Sequence, residues 1–63
     1  MIRVTIMVWF ELENGDPRFK TWDSHMYGNE IQIVAEELAS MYRNGSCKIF
    51  DTMDRVVGTA GFE

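Results

Sequence analysis

Apolar side chains occupy every second position near the start of the chain, and this alternation limits the fold more than any other feature of the sequence. One parity is wholly apolar and holds Ile2, Val4, Ile6, Val8, Phe10 and Leu12. The other parity is mixed and holds Arg3, Thr5, Met7, Trp9, Glu11 and Glu13. Successive side chains of a β-strand point to opposite faces, so the pattern predicts one long strand from Ile2 to Glu13 with one buried face.

A chain reversal is expected directly after this strand. Asn14 and Gly15 form the dipeptide that best tolerates positive φ, and Pro17 lacks the N–H group that the interior of a sheet requires. A second strand from Arg18 to about Ser24 should therefore pair back on the first one as a hairpin.

Charge favours one register for this hairpin. In that register the cross-strand pairs are Glu13 with Arg18, Glu11 with Lys20, and Trp9 with Trp22. A slip of two residues would instead oppose Glu13 to Asp16, and a slip of one residue would bring opposite faces together. The sequence thus predicts two salt pairs and an indole pair on one face of the hairpin.

The middle of the chain has the spacing of an amphipathic helix. Asn29 is placed to cap its N-terminus, and Gln32, three residues later, is placed to bond back to the Asn29 backbone. The helix should therefore begin at Glu30. Asn44 and Gly45 suit a left-handed C-terminal cap. Apolar residues between these ends recur at intervals of three and four and form one stripe, namely Ile31, Val34, Ala35, Leu38, Ala39, Met41 and Tyr42.

A second hairpin closes the chain. Alternation resumes over Ser46 to Thr52, and a short connection of Met53, Asp54 and Arg55 leads into a strand from Val56 to Ala60. The predicted fold class is α+β: one domain over residues 1–63 with the order ββαββ, a mostly antiparallel sheet and one helix packed on one face. The predicted core joins Val34, Leu38 and Tyr42 of the helix to Val4, Ile6, Val8, Phe10, Ile49 and a valine of the last strand.

Charge and cysteine content exclude several classes of protein. Ten acidic and six basic residues give a net charge of -4, which disfavours nucleic acid and anionic membranes as principal partners.

No stretch is apolar for the roughly 20 residues that cross a bilayer, and none fits a secretory signal peptide. A single cysteine, Cys47, and a single histidine cannot form a disulfide or a four-ligand zinc site. We expect a cytoplasmic protein with no metal and no cofactor.

The sequence offers little for catalysis. His25 follows Asp23 and Ser24, but neighbours on an extended chain point to opposite faces and cannot form a catalytic relay. Cys47 fits a small core residue better than a reactive thiol. We predict no catalytic residue, and a minor enzyme or toxin that relies on His25 is the least favoured alternative.

The sheet face that the single helix does not cover is the predicted binding surface. Two tryptophans and a methionine with charged neighbours have the composition of a protein contact, and these residues are Met7, Trp9, Glu11, Glu13, Arg18, Lys20 and Trp22. The partner would be another protein or a second copy of the chain, in a homodimer. An indole pair that only covers its own strand is the structural alternative, and the acidic helix residues Glu36 and Glu37 are the next candidate surface.

Exposed aromatic residues on a small sheet also stack bases in several RNA-binding domains. Arg3, Arg18 and Lys20 could flank the tryptophans, but Glu11 and Glu13 share their face, and no basic-aromatic ribonucleoprotein motif is present. A single-stranded nucleic-acid-binding module is therefore the second hypothesis.

The layout as a whole is similar to that of one class of small proteins. It combines a strand that opens at Ile2, the Asn14-Gly15 turn, one helix from Glu30 and a closing hairpin through Asp51 and Arg55. In this layout the chain resembles the small acidic proteins that bacteriophages encode to block host machinery, including transcription inhibitors and anti-CRISPR proteins. The resemblance implies an inhibitor that occludes a basic or nucleic-acid-binding surface of a host protein, and it assigns no functional residue.

Overall fold

The computed structural model describes residues 1–62, which form a four-stranded antiparallel sheet with one helix against it. The strands are β1 (Ile2–Glu11), β2 (Pro17–Met26), β3 (Ser46–Phe50) and β4 (Val56–Ala60), and the helix is α1 (Ile31–Met41). The order across the sheet is β2-β1-β3-β4, so β2 and β4 are its edges. The predicted α+β class and ββαββ order are confirmed. No helix in this part of the chain has the length and apolar character needed to cross a membrane.

The first hairpin closes differently from the prediction. Its loop contains three residues: the Gly15 N–H donates to the Leu12 carbonyl oxygen at 2.8 Å, and the Leu12 N–H donates to the Asp16 carbonyl oxygen at 2.8 Å. Gly15 has a φ of 90°, as the bulge position of such a loop requires. Glu13 therefore belongs to the loop, Leu12 closes the loop opposite Asp16, and β1 ends at Glu11 rather than at Glu13.

This loop sets a register three positions away from the predicted one. Trp9 lies opposite Phe19, and Trp22 lies opposite Ile6. The other two predicted pairs are wrong as well, because Glu11 lies opposite Pro17 and Lys20 lies opposite Val8. The physical reason is that turn geometry fixes a hairpin register, while an exposed charge pair contributes only about 0 to 1 kcal/mol. An odd shift also moves every residue of β2 to the opposite face.

The start of the helix also differs from the prediction. A 3-10 turn over Gly28–Glu30 precedes α1, and Glu30, not Asn29, occupies the N-cap position. The Glu30 carboxylate accepts a hydrogen bond from the Tyr27 N–H at 2.9 Å. At the other end the predicted left-handed cap is wrong: α1 ends at Met41 with the extended residue Tyr42 at the C-cap, and Asn44 adopts its φ of 49° in the turn that follows. Gly45 is needed for space, since a Cβ there would collide with the Ala39 carbonyl oxygen.

The core lies between α1 and the even-numbered face of β1. Its buried members are Val4, Ile6, Val8, Met26, Ile31, Ala35, Cys47 and Ile49. Phe10, Val34, Leu38 and Tyr42 were predicted at its centre but lie half-buried at its margin. Met41 is exposed, and so are both valines of β4.

Gly58 occupies the core position that a valine of β4 was expected to fill. The β3–β4 pairing shifts register between Ile49 and Phe50, and this irregularity leaves Val57 exposed and Gly58 opposite Ile49. The helix passes close to β4 at this point, so a valine would not fit. Helix α1 packs mainly against β3 and β4 and hardly reaches β2.

Candidate protein-binding surface

The sheet face turned away from α1 is called here the open face. Because alternate residues share a face and paired residues lie side by side, its members follow from the observed register. They are Arg3, Thr5, Met7, Trp9 and Glu11 of β1, Pro17, Phe19, Thr21, Asp23 and His25 of β2, Ser46, Lys48 and Phe50 of β3, and Val56 and Thr59 of β4.

Three aromatic side chains form a cluster at one end of the open face. Trp9 is directly opposite Phe19 across the β1–β2 pairing. Phe62, which follows β4, meets Trp9 edge-on with 5.4 Å between ring centroids and 76° between ring planes. Phe19 is 58% exposed and Phe62 is 49% exposed, while Trp9 is half-buried. We call Trp9, Phe19 and Phe62 the aromatic cluster.

Charged and polar groups border this cluster. The Lys48 Nζ atom lies 4.9 Å from the Phe62 ring centroid, within cation–π range. On the other side Glu11 accepts a hydrogen bond from Asn44 Nδ2 at 2.8 Å. The arrangement is an apolar centre with one cationic and one anionic neighbour, which suits contact with a protein surface.

Part of the predicted site is on the open face and part is not. The structure places Met7, Trp9 and Glu11 there. Glu13 lies in the hairpin loop. The prediction that Trp22, Arg18 and Lys20 share the face of Trp9 is wrong, because the observed register puts them on the helix side of β2. Trp9 and Trp22 are therefore not cross-strand neighbours, and neither the predicted indole pair nor its self-covering alternative exists.

Two members of the aromatic cluster were not among the predicted site residues. Phe19 has the opposite parity from Trp22, so only the three-residue loop could have revealed that it shares a face with Trp9. Phe62 lies outside any alternating segment, and nothing in its sequence neighbourhood signals that it packs on Trp9.

The helix-side residues of β2 have their own surroundings. The Lys20 Nζ atom lies 5.9 Å from the Phe10 ring centroid and 5.5 Å from the Tyr42 ring centroid. Those two rings pack together with their centroids 4.7 Å apart. Trp22 remains 36% exposed because α1 does not extend over β2. Glu36 and Glu37 are exposed on the outer surface of α1.

A polar depression of about 210 Å³ lies at the other end of the open face. It is lined by Arg3, Val4, Thr5, Asp23, Asp51 and Thr52. The Thr5 hydroxyl donates to Asp23 Oδ1 at 3.0 Å, and Asp51 is held by the β3–β4 turn. The carboxylates of Asp23 and Asp51 that line the depression are therefore already hydrogen-bonded within the chain.

Cys47 and His25 are the two residues that could act as a nucleophile or base near neutral pH, and their surroundings differ. Cys47 is completely buried, and burial raises the pKa of its thiol, which disfavours the reactive thiolate. His25 lies on the open face opposite Arg3, with Asp23 on the same face and Ser24 on the other. Among residues 1–62, no three His, Cys, Asp or Glu side chains are grouped closely enough to hold a metal ion.

Comparison with protein-family models, with curated proteins and with solved structures finds no match to this chain.

Proposed function

We propose that this chain is a non-enzymatic binding protein that engages another protein through its open face. The observation that carries the proposal is the aromatic cluster of Trp9, Phe19 and Phe62, which none of the described elements covers. Aromatic residues and methionine are enriched at the centres of protein interfaces, and Met7 adjoins Trp9 on this face. Apolar area of this kind, withdrawn from water, would provide the main free energy of association.

The charge of the chain favours a basic partner surface. The net charge is -4, and the end of the first hairpin near the cluster carries Glu11, Glu13 and Asp16. Complementary charge speeds association and excludes acidic surfaces. A basic surface of a nucleic-acid-binding host protein fits this description, and the proposed action is inhibition by occlusion, as the resemblance to phage-encoded inhibitors implies.

The proposal places this action in the cytoplasm. A single buried thiol with no disulfide partner is typical of proteins in a reducing compartment. The compartment itself can be tested by fractionation of cells that express the chain.

The second candidate function is binding of single-stranded nucleic acid. It is favoured by the exposed rings of Phe19 and Phe62 beside Lys48, since bases stack on such rings and phosphates follow cations. It is disfavoured by Glu11 and Asp23 on the same face and by the overall negative charge. We therefore rank it below protein binding.

A pair of matched variants tests the proposed function. Phe19→Asp places a carboxylate in the aromatic cluster, and Ile33→Asp makes the same kind of change on α1, where the side chain is similarly exposed at 55%. Proteins captured from host lysate by the unmodified chain should be lost with Phe19→Asp and kept with Ile33→Asp. Capture that is equal for both variants would show that the open face is not the contact.

The nucleic-acid alternative needs its own measurement. Short single-stranded oligonucleotides are titrated against the intrinsic tryptophan fluorescence at low and high salt. Phosphate contacts would make the affinity fall steeply as salt rises. Strong, salt-sensitive quenching that Phe19→Asp abolishes would place this candidate above protein binding.

A further inference from the structure

The two edges of the sheet differ in how they meet solvent. Edge strand β4 is short, and the side-chain amide of Gln32 occupies its outer edge. Gln32 Nε2 donates to the Thr59 carbonyl oxygen at 2.7 Å, and the Thr59 N–H donates to Gln32 Oε1 at 3.2 Å. The amide satisfies the Thr59 backbone as a neighbouring strand would, so a further strand is blocked at this position of β4.

Edge strand β2 has such cover only at its first residue, where Arg18 Nη1 donates to the Pro17 carbonyl oxygen at 2.9 Å. From Phe19 to His25 no described side chain bonds to its outer edge. Hydrogen-bonded and non-hydrogen-bonded pairs alternate along an antiparallel ladder, and the bond from the Leu12 N–H to the Asp16 carbonyl fixes the phase of that alternation. Even-numbered residues of β2 therefore bond to β1. The N–H and C=O groups of Phe19, Thr21, Asp23 and His25 point outward along a free edge.

Charged side chains often prevent edge strands from pairing, but the two charged residues in the middle of β2 turn inward. The Lys20 ammonium lies over the Phe10 and Tyr42 rings, which belong to the interior side of β2. The Asp23 carboxylate accepts a hydrogen bond from the Thr5 hydroxyl of β1. These two charges lean toward the sheet, and Arg18 is held at the loop end of β2 by Pro17 and Asp16, so the edge is left clear from Phe19 to His25.

We propose that a second copy of this chain pairs antiparallel along β2, and that the two β2 strands cross at Trp22. A symmetric antiparallel pair is related by a two-fold axis perpendicular to the sheet, which keeps both helices on the same side. The two sheets then become one continuous sheet. This inference does not rest on the proposed function, because it uses an edge of the sheet and not its open face.

Charge and size select the crossing point. A crossing at Lys20 would oppose two ammonium groups, and a crossing at Asp23 would oppose two carboxylates. Crossings nearer either end of β2 shorten the paired segment. A crossing at Thr21 would place Lys20 against Trp22 of the second copy and Phe19 against its Asp23.

The crossing at Trp22 satisfies these conditions best. In this arrangement Thr21 lies opposite Asp23 of the second copy, so that a hydroxyl meets a carboxylate. Lys20 lies opposite Ser24 of the second copy. The two Trp22 side chains meet at a non-hydrogen-bonded position, where opposed side chains approach most closely. Each indole is 36% exposed in the single chain, and the other indole would cover it in the space that α1 leaves above β2.

Sedimentation equilibrium of the full chain tests the pairing, over concentrations from about 1 μM to about 1 mM, the range that separates moderate from weak association. We expect the apparent mass to rise from 7.3 kDa toward twice that value. Thr21→Pro removes an outward N–H that β1 does not use, and it should weaken association at least tenfold. The control Thr21→Val keeps that N–H and should dimerise like the unmodified chain.

Circular dichroism and melting establish that Thr21→Pro is folded. If that variant is unfolded, Trp22→Lys replaces it, since this change opposes two ammonium groups at the crossing and leaves the backbone donors intact. A monomer throughout the concentration series, or equal association of folded Thr21→Pro and Thr21→Val, would overturn the proposal.

Cross-linking tests the crossing point. Trp22→Cys brings two thiols into disulfide range in the proposed dimer, whereas Phe19→Cys on the same strand lies opposite His25 of the second copy and far from its own counterpart. Mild oxidation should link Trp22→Cys chains and leave Phe19→Cys chains unlinked, while buried Cys47 takes no part. Faster linking of Thr21→Cys than of Trp22→Cys would overturn the assigned register.

Discussion

Gly58 of β4 lies directly against Ile31 at the start of α1: a Cβ atom on Gly58 would stand 2.7 Å from Ile31 Cγ2 and 3.3 Å from the Ile31 carbonyl oxygen. Helix and sheet approach so closely here that the position accepts only hydrogen. Ile31 is buried, so its side chain cannot swing into solvent to make room. The contact fixes where the helix begins relative to the edge of the sheet.

Gly58→Ala should therefore destabilise the fold by about 1 to 3 kcal/mol, the usual range for overpacking a core. Denaturant melts of the variant and of Val57→Ala, which changes the exposed neighbouring residue, provide the measurement. Val57→Ala should leave the midpoint nearly unchanged. Equal midpoints for Gly58→Ala and the unmodified chain would show that α1 can shift away from β4 at no cost.

Ile49 is fully buried in β3, and its truncation should be among the most costly single changes in the chain. Ile49→Ala is expected to lose about 2 to 5 kcal/mol through lost burial and an unfilled cavity. Ile33→Ala removes the same atoms from an exposed site on α1 and should stay within about 0.5 kcal/mol of the unmodified chain. Leu38→Ala, at a half-buried site, should fall between them. Chemical denaturation would contradict this order if Leu38→Ala proved the most costly.

The Cys47 thiol gives the stability a dependence on alkaline pH. Burial raises its pKa above the ordinary 9.0, so the thiol stays protonated in the folded chain while it ionises in the unfolded one. Its contribution is complete below pH 9.0 and is lost as pH rises from there through the folded value. The stability advantage of the unmodified chain over Cys47→Ala should narrow above pH 9.0, and alkylation of the native thiol should be slow at neutral pH. An advantage that stays constant with pH would contradict the burial of the thiol.

Asp51 gives the opposite dependence at acid pH. The backbone N–H of Arg55, followed by that of Met53 and the Arg55 side chain, holds the pKa of this carboxyl below its ordinary 3.8. The stabilisation is present above pH 3.8 and is lost as pH falls through the lower folded value. Asp51→Asn keeps a side-chain acceptor but loses the charge, so its stability deficit should shrink below pH 3.8. Glu36→Gln on the outer helix surface is the control, and a deficit for Asp51→Asn that does not change with pH would refute the assignment.

Gln32 closes the outer edge of β4, and Gln32→Ala should release it. The Thr59 amide then loses its acceptor and should exchange with deuterium faster, while amides of β1 keep their protection. Glu36→Ala leaves that edge intact and serves as the matched helix variant. Unchanged exchange at Thr59 would show that water or another group takes the place of the side-chain amide.

Regular elements could be predicted from the sequence because their signals are local. Alternation located β1 and β3, the short connection after β3 located β4, and the spacing of Ala35 and Leu38 located α1. The same parity rule placed Met7 and Trp9 opposite the core, and the structure agrees. Each of these inferences needs only the geometry of a single strand or helix.

Relations between elements were predicted less well. The hairpin register depended on whether Glu13 belongs to the strand or to the loop, and charge pairs were too weak to decide it. That one error placed Trp22 on the face of Trp9, although it lies on the helix side, and it concealed that Phe19 shares that face. Gly58 in place of a core valine, and Phe62 on Trp9, depend on how closely α1 approaches β4 and on where the chain runs after β4. No local sequence pattern specifies how closely α1 approaches β4 or which path the chain takes after β4.

The amide of Gln32 also limits how far such sheets can grow. A sheet with two free edges can add copies at both edges and extend into a ribbon. A sheet with one free edge can pair with only one further copy, because the resulting dimer has no free edge left. With β4 blocked at Thr59, the proposed pairing along β2 would end at two copies. In that assembly a single glutamine on the helix would separate a dimer from a polymer.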